Sequence, residues 1–365
     1  MESSTETLSW LVSQGAIRCT LPSDAASLVP AHEAAPAGDR IEGMLLGVAI
    51  GDSLGNTSES LLPADRLSRY GEIRDYQHNR YAGTAPFSFP SDDTQLSFWA
   101  LESILAEGGV VPGSIAHAFT QNRIYGLGSA VREFLSAFKA GRPWYEAGPE
   151  KAGNGALMRV SPLILPSLVE GGNGLLADLA LGSMLTHNDS ASISACLTFG
   201  IMLRELLVTK AVPAPEWWAG RYVELASKFE TSAVYTPRGG TLAGYAGTLS
   251  GFVRRTVPHA LEQGLGVEEA CNGWYSGAFL LETVPSVLYI LARHAADPEE
   301  ALVRAVNDTK DNDTIAAIIG AAVGALHGAS AFPQRWLEGL SGRTMESDAG
   351  TVQALATKAA SRYGC

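Results

Sequence analysis

Two short aspartate turns, each running straight into an apolar helical stripe, carry the strongest chemistry in this 365-residue sequence. The first reads SDDTQ and supplies Ser91, Asp92, Asp93 and Thr94; the second reads DNDT and supplies Asp311, Asn312, Asp313 and Thr314. Ser91 or Asp92 suits a helix N-cap, and Gln95 follows Asp92 by three positions, the spacing of a capping box. Capping alone accounts for one such turn. Two of them brought together gather four carboxylates, and such a cluster persists only where protons or cations neutralise it. Oxygen-only donors of the Asp, Ser and Thr kind select Mg²⁺, Mn²⁺ or Ca²⁺ over zinc, which takes His or Cys. The spacing is not that of a twelve-residue EF-hand loop. From these residues alone, two readings stay open: an oxygen-liganded cation site, or two unrelated helix caps.

The elements that position the turns follow from periodicity. Ile41, Met44, Leu45, Val48 and Ala49 mark an amphipathic helix whose second face carries Gly43, Gly47 and Gly51. Behind the second turn, Ile315, Ile318, Ile319, Ala322 and Leu326 form another stripe, with Gly320, Gly324 and Gly328 at the same four-residue spacing. Faces of small residues let helix backbones approach closely, so these two helices are expected to abut and bring their acidic ends to one place. Further helical patterns fall at 96–105, 130–138, 175–185, 191–207, 218–229, 279–292 and 299–306. No convincing period-2 strand or fixed-period repeat is present, so the expectation is an all-α fold with long loops at 71–90 and 231–251.

Composition sets the outer bounds. Hydrophobic residues make up 46% and charged residues 18%, which gives a globular chain with a sizeable core. A net charge of -12 argues against an extended nucleic-acid surface, although metal ions or backbone N–H groups still allow a small anionic ligand. The cysteines at 19, 196, 271 and 365 are scattered without C-x-x-C spacing, which favours a reducing compartment. The acidic N-terminus lacks the pattern of a secretory signal, and the longest apolar run, 315–326, is too short to span a bilayer. A cytoplasmic protein without membrane contact is expected. Residues 1–40, rich in Ser, Ala and Pro, read as an N-terminal extension before a catalytic domain at 41–365, with the apolar piece at 8–17 available to dock.

Four motifs, GVAIGDSLGNTSES (47–60), SDDTQ (91–95), GNGALMRVSPL (153–163) and DNDTIAAIIGAAVGALHG (311–328), together make the chain resemble the ADP-ribosylglycohydrolase family over roughly residues 40–330. The resemblance implies a compact, orthogonally packed helical bundle with a binuclear magnesium centre in a cleft. It implies two Mg²⁺ ions, with Mn²⁺ as a substitute, held by Ser91, Asp92, Asp93, Asp311, Asp313 and Thr314. It points to Glu59 and Asp92 as the catalytic acids, and to Gly153, Asn154, Gly155, Ala156, Met158 and His187 as the ADP-ribose pocket. A lone histidine before a helix also suits a structural role, and Arg159 suits either a phosphate or the bracing of its own loop. Glu282 reads as a packing residue.

The activity so implied is metal-dependent hydrolysis of the C1″ glycosidic bond between ADP-ribose and a protein side chain or other acceptor. The alternatives are a catalytically silent ADP-ribose-binding or immunity protein on the same fold, and a magnesium-dependent phosphohydrolase. Thr309 and Lys310 stand where many members have two glycines, and Ser91 stands where threonine is frequent. The lysine beside the cleft suggests contact with phosphate or a tempered acidic field, so the acceptor is not carried over with the motifs.

Overall fold

Glycine at every fourth position leaves a helix face without side chains, and the two helices with such faces form the centre of the molecule. The computed structural model describes residues 3–30, 35–78, 88–172, 174–343 and 348–365. Its α-helices in chain order are α1 (Ser4–Ser13), α2 (Gly38–Gly55), α3 (Pro63–Tyr70), α4 (Asp92–Glu107), α5 (Pro112–Ala118), α6 (Ser129–Lys139), α7 (Trp144–Ala147), α8 (Leu165–Val169) and α9 (Leu175–Met184). They continue as α10 (Ser190–Leu206), α11 (Pro215–Phe229), α12 (Leu249–Glu262), α13 (Val267–Trp274), α14 (Leu280–His294), α15 (Pro298–Asp308), α16 (Asn312–His327), α17 (Gln334–Gly339) and α18 (Thr351–Tyr363). Strand character among the described residues is limited to isolated bridges, Gly153 with Phe279 and Tyr235 with Gly247. The fold is all-α, as expected.

Helices α2 and α16 run antiparallel in direct backbone contact. A methyl group on Gly47 would collide with the backbone of Gly320, one on Gly43 would lie 2.7 Å from the Gly324 carbonyl, and one on Gly51 would meet the Ala316–Ala317 backbone. At the site end, a methyl group on Gly55 would lie 2.5 Å from the Asp313 amide nitrogen. The register therefore sets the C-terminus of α2 against the N-terminus of α16. Both helices are buried almost throughout, and one continuous apolar core extends from Leu8 and Leu11 of α1 to Tyr363 of α18.

Each patterned segment lies largely on a helix, with ends shifted by a few residues. The helices at 249–262 and 351–363 go beyond that reading. In α12 the buried stripe Leu249, Phe252, Val253, Thr256, Val257 and Ala260 is interrupted by Gly251 and Pro258, and half of the buried face of α18 is alanine (Ala356, Ala359 and Ala360). The 231–251 loop is irregular up to Thr248, the N-cap of α12. Of the 71–90 loop, positions 79–87 lie outside the described residues.

Candidate functional site

The carboxylate cluster is assembled from three helix ends. Asp52, fully buried in the last turn of α2, accepts the backbone N–H of Ser91 (2.9 Å) and of Thr94 (3.1 Å) and both of their hydroxyls (2.5 Å each). Asn56 donates to it as well at 2.8 Å. The start of α4 is thereby fixed to the end of α2, which itself abuts the start of α16. Because the Ser91 hydroxyl gives its proton to Asp52, its lone pairs stay available as donors.

Neither N-cap residue, Ser91 of α4 or Asp311 of α16, makes a side-chain cap bond. The expected capping box is absent: Gln95 donates to the Arg123 carbonyl at 3.0 Å and accepts the Tyr125 N–H at 2.9 Å, so it closes the 123–125 loop instead. Asp311 accepts from the Asn154 amide at 2.6 Å, and Asp313 accepts its neighbour Thr314's N–H at 2.8 Å. Asn312, between the two aspartates, turns away and donates to the carbonyls of Gly55 and Val306 and to the Ser58 hydroxyl.

Two groups of carboxylates share Asp313. Oxygens of Asp52, Asp93 and Asp313 lie within 4.8 Å of one another, and so do those of Glu59, Asp311 and Asp313. Burial pushes the Asp92, Asp93 and Asp313 carboxyls well above the usual carboxylate range, and the neighbouring negative charges push them further. Burial raises Asp311 to about 6, against the opposing bond from Asn154. Asp93 is fully buried, yet its Oδ1 has no hydrogen-bond partner. An orphaned buried carboxylate oxygen inside an all-oxygen donor set fits a hard divalent cation, which would return these groups to the ionised form.

A cleft of about 340 Å³ opens from this cluster. Glu59, Asp92, Asp311, Asp313 and Thr314 line its acidic end; Gly153, Asn154, Gly155, Met158 and His187 line its wall. Asp93 is buried and outside that lining, Ser91 lines an adjacent cavity that shares Glu59 and Gly126 with the cleft, and Ala156 is buried in the core. The Asn154 N–H is taken by the Ala278 carbonyl at 3.1 Å, and its side-chain amide holds Asp311 and Thr283. That amide therefore orients a carboxylate. The two glycines flanking Asn154 make room for the His187 ring, since a methyl group on Gly155 would lie 2.9 Å from its Cε1.

A family model described as ADP-ribosylglycohydrolase matches residues 33–364. The chain belongs to the ADP-ribosylglycohydrolase family. Hydrolysis of ADP-ribose linkages is the activity that membership supports. The ADP-ribosyl-[dinitrogen reductase] glycohydrolase of Rhodospirillum rubrum is 27% identical over 83% of this chain and 90% of its own. The ADP-ribosylarginine hydrolase Tri1 of Pseudomonas putida (strain GB-1) is 25% identical over 82% of this chain and 74% of its own. A solved ADP-ribosylglycohydrolase-related protein complex superimposes with a TM-score of 0.65 at 29% identity, covering 90% of this chain and 99% of its own. Among the described residues no helix is long and apolar enough to cross a membrane.

Three residues of this family member's site escape the sequence reading. Asp52 left one signal: an acidic residue in the last turn of a helix that is apolar from Gly43 to Gly51, where the dipole disfavours it. Arg66, fully buried, donates to Ser58 Oγ (3.0 Å) and to the carbonyls of Leu61 (2.9 Å), Asn307 (3.0 Å) and Thr309 (2.8 Å). It thus ties the loop carrying Glu59 to the segment before the second aspartate turn. Arg238 lines the cleft, held by both oxygens of fully buried Glu282 at 3.0 and 2.7 Å, and stacks over Phe279. The packing role read for Glu282 is thus that of an anchor for Arg238. Lys310 donates to the Tyr275 hydroxyl and lies 3.8 Å from that ring's centroid, while its charge lowers Asp311 slightly against burial.

Proposed function

We propose that this chain is a divalent-cation-dependent ADP-ribosyl hydrolase that cleaves the C1″ glycosidic bond between ADP-ribose and a protein side chain or other acceptor. The reading assigns two Mg²⁺ ions, replaceable by Mn²⁺, to Ser91, Asp92, Asp93, Asp311, Asp313 and Thr314. The observation that carries it is the pair of carboxylate groups sharing Asp313, with an orphaned oxygen on Asp93. Such ions supply Lewis acidity, polarising substrate oxygens and making water a stronger acid.

The chain's own residues supply the rest. Asp92, at the cleft surface, accepts the proton of the attacking water as positive charge develops at C1″. Glu59, exposed at the cleft edge on a loop ending in left-handed Ser60 (φ 69°), serves the leaving group. Asn154 keeps Asp311 aimed, and Gly153, Gly155, Met158 and His187 form the wall against which ADP-ribose lies. Residues 41–365 act as the catalytic domain, onto which the 1–40 extension docks through α1. Four unpaired cysteines favour a cytoplasmic setting.

The test is a panel of arginine-linked, serine-linked and small-molecule ADP-ribose conjugates, assayed with Mg²⁺ and with EDTA. Release of ADP-ribose that stops in EDTA and returns with Mg²⁺ is expected, and Asp92→Asn and Asp313→Asn abolish it with the helical fold intact. Full activity in either variant would sink the assignment. Tight ADP-ribose binding without release from any conjugate would identify a catalytically silent member.

A further inference from the structure

Arg159 is a buried cation with no ion-pair partner among the described residues. It is fully buried; its Nη2 donates to Thr186 Oγ1 at 2.7 Å, its Nε and Nη1 meet no acceptor, and the Phe119 ring lies 5.3 Å away. Burying an arginine without a carboxylate is costly, so the one bond it makes calls for an explanation.

That bond dictates a proton arrangement. Guanidinium only donates, so the Thr186 oxygen is the acceptor, and the threonine's own proton is left for another group. The group beside it is His187 Nδ1, at 2.9 Å, and Thr186 is fully buried. Thr186 Oγ1 has a second lone pair, but were Nδ1 the donor, the buried Thr186 proton would find no acceptor among the described residues; Nδ1 therefore accepts, and the ring proton resides on Nε2. The Nε2 edge faces the cleft, since a methyl group on Gly153 would lie 3.2 Å from it. Burial, followed by the charges of Arg159 and Lys151, pushes the His187 pKa down to about 3. The imidazolium form is therefore absent at ordinary pH.

We propose that Arg159 and Thr186 form a relay that locks His187 in the neutral Nε2–H tautomer, making it a fixed hydrogen-bond donor to an oxygen of the bound ADP-ribose. The identity of the ligand rests on the hydrolase reading above; the relay does not. Arg159 and Thr186 act through His187 and are positioning residues. A donor of fixed sense accepts phosphate or ribose oxygens and turns away a ligand that presents an N–H at that point.

The tautomer is read directly from two-bond ¹H–¹⁵N correlation spectra of the full chain labelled with ¹⁵N-histidine, with His187 identified among the seven histidines by His187→Gln. An Nε2–H pattern that stays unchanged from about pH 5 to 8 is expected. Thr186→Val removes the relay, so the ring exchanges between tautomers and ADP-ribose binds about fivefold more weakly by calorimetry. Thr186→Ser keeps the hydroxyl and restores both. A proton on Nδ1 in the wild type, titration of His187 within that range, or a Thr186→Val protein with unaltered tautomer and affinity would overturn the relay. The wild-type spectrum decides the tautomer even where Thr186→Val fails to fold. The expected tautomer in a protein that does not bind ADP-ribose would overturn the hydrolase reading and leave the relay standing.

Discussion

Asp93→Asn separates a cation site from a merely acidic fold core. Asp93 is fully buried among carboxylates whose burial and mutual repulsion raise their pKa values, so in the metal-free protein an ionised Asp93 is unfavourable and keeping it there costs stability. Removing one charge at constant shape leaves the EDTA-treated variant melting at or above the wild type. With metal present the order reverses. A ligand at 100 times its Kd stabilises the folded state by about 2.7 kcal/mol. For 365 residues at roughly 2.1 cal/mol/K each, the unfolding entropy is about 0.77 kcal/mol/K, so the wild type gains about 3.5 °C. If loss of a ligand weakens binding about 100-fold, the same Mg²⁺ concentration sits near Kd and adds only about 0.4 kcal/mol, or about 0.5 °C. Differential scanning fluorimetry in EDTA and in MgCl₂ reads both numbers. Equal Mg²⁺ shifts in the two proteins would refute the assignment of Asp93, as would a variant less stable than the wild type in EDTA.

Asp52→Asn sets an amide N–H₂ against donors that Asp52 accepts, so it is expected to cost about 1–3 kcal/mol by chemical denaturation. Through the misplaced start of α4 it should also weaken Mg²⁺ affinity about 10- to 100-fold in a metal titration. Gly47→Ala forces the α2 and α16 backbones apart and should lower stability by about 1–3 kcal/mol, with a loss of turnover although no site residue is touched; wild-type turnover would contradict the packing argument. Asp178, in α9, is raised to about 7 by burial, despite the bond from Ser4 and with help from Glu170. Its folded pKa exceeds the unfolded value of about 3.9, so the stability it contributes is present below that value and is lost as pH rises through about 7. Asp178→Asn should therefore be more stable than the wild type near pH 8, with the advantage shrinking towards pH 4, as thermal melts at the two pH values will show.

The helical class, the antiparallel glycine pair and the convergence of both aspartate turns were legible because each rests on short-range pattern: a stripe, a four-residue glycine spacing, an acid just before a helix. What was hidden depends on partners far along the chain. Arg66 is an ordinary charged residue in sequence, and only folding brings it to the Asn307 carbonyl 241 residues away. Asp52 was quoted within its motif, but its function as the acceptor that fixes α4 needs Ser91 and Thr94 to arrive. The same holds for Asn154, whose amide is engaged by Asp311, and for the loop residue Arg238, set by Glu282 of α14. Gln95 illustrates the reverse case, where good local spacing for a cap lost to a tertiary bond with the 123–125 loop.

The seam between α2 and α16 acts as a pair of lever arms. Gly43 and Asp52 are nine residues apart on one rod, about 13.5 Å at 1.5 Å per residue. A tilt of about 5° at the glycine end thus displaces the carboxylate end by about 1.2 Å, several times the roughly 0.2 Å latitude of a metal–ligand distance. With no side chains between the rods there is nothing to bend and absorb the error. Alignment errors made far from the cleft are delivered undiminished to its carboxylates, so the tolerance of the chemistry is set by glycines that never meet substrate.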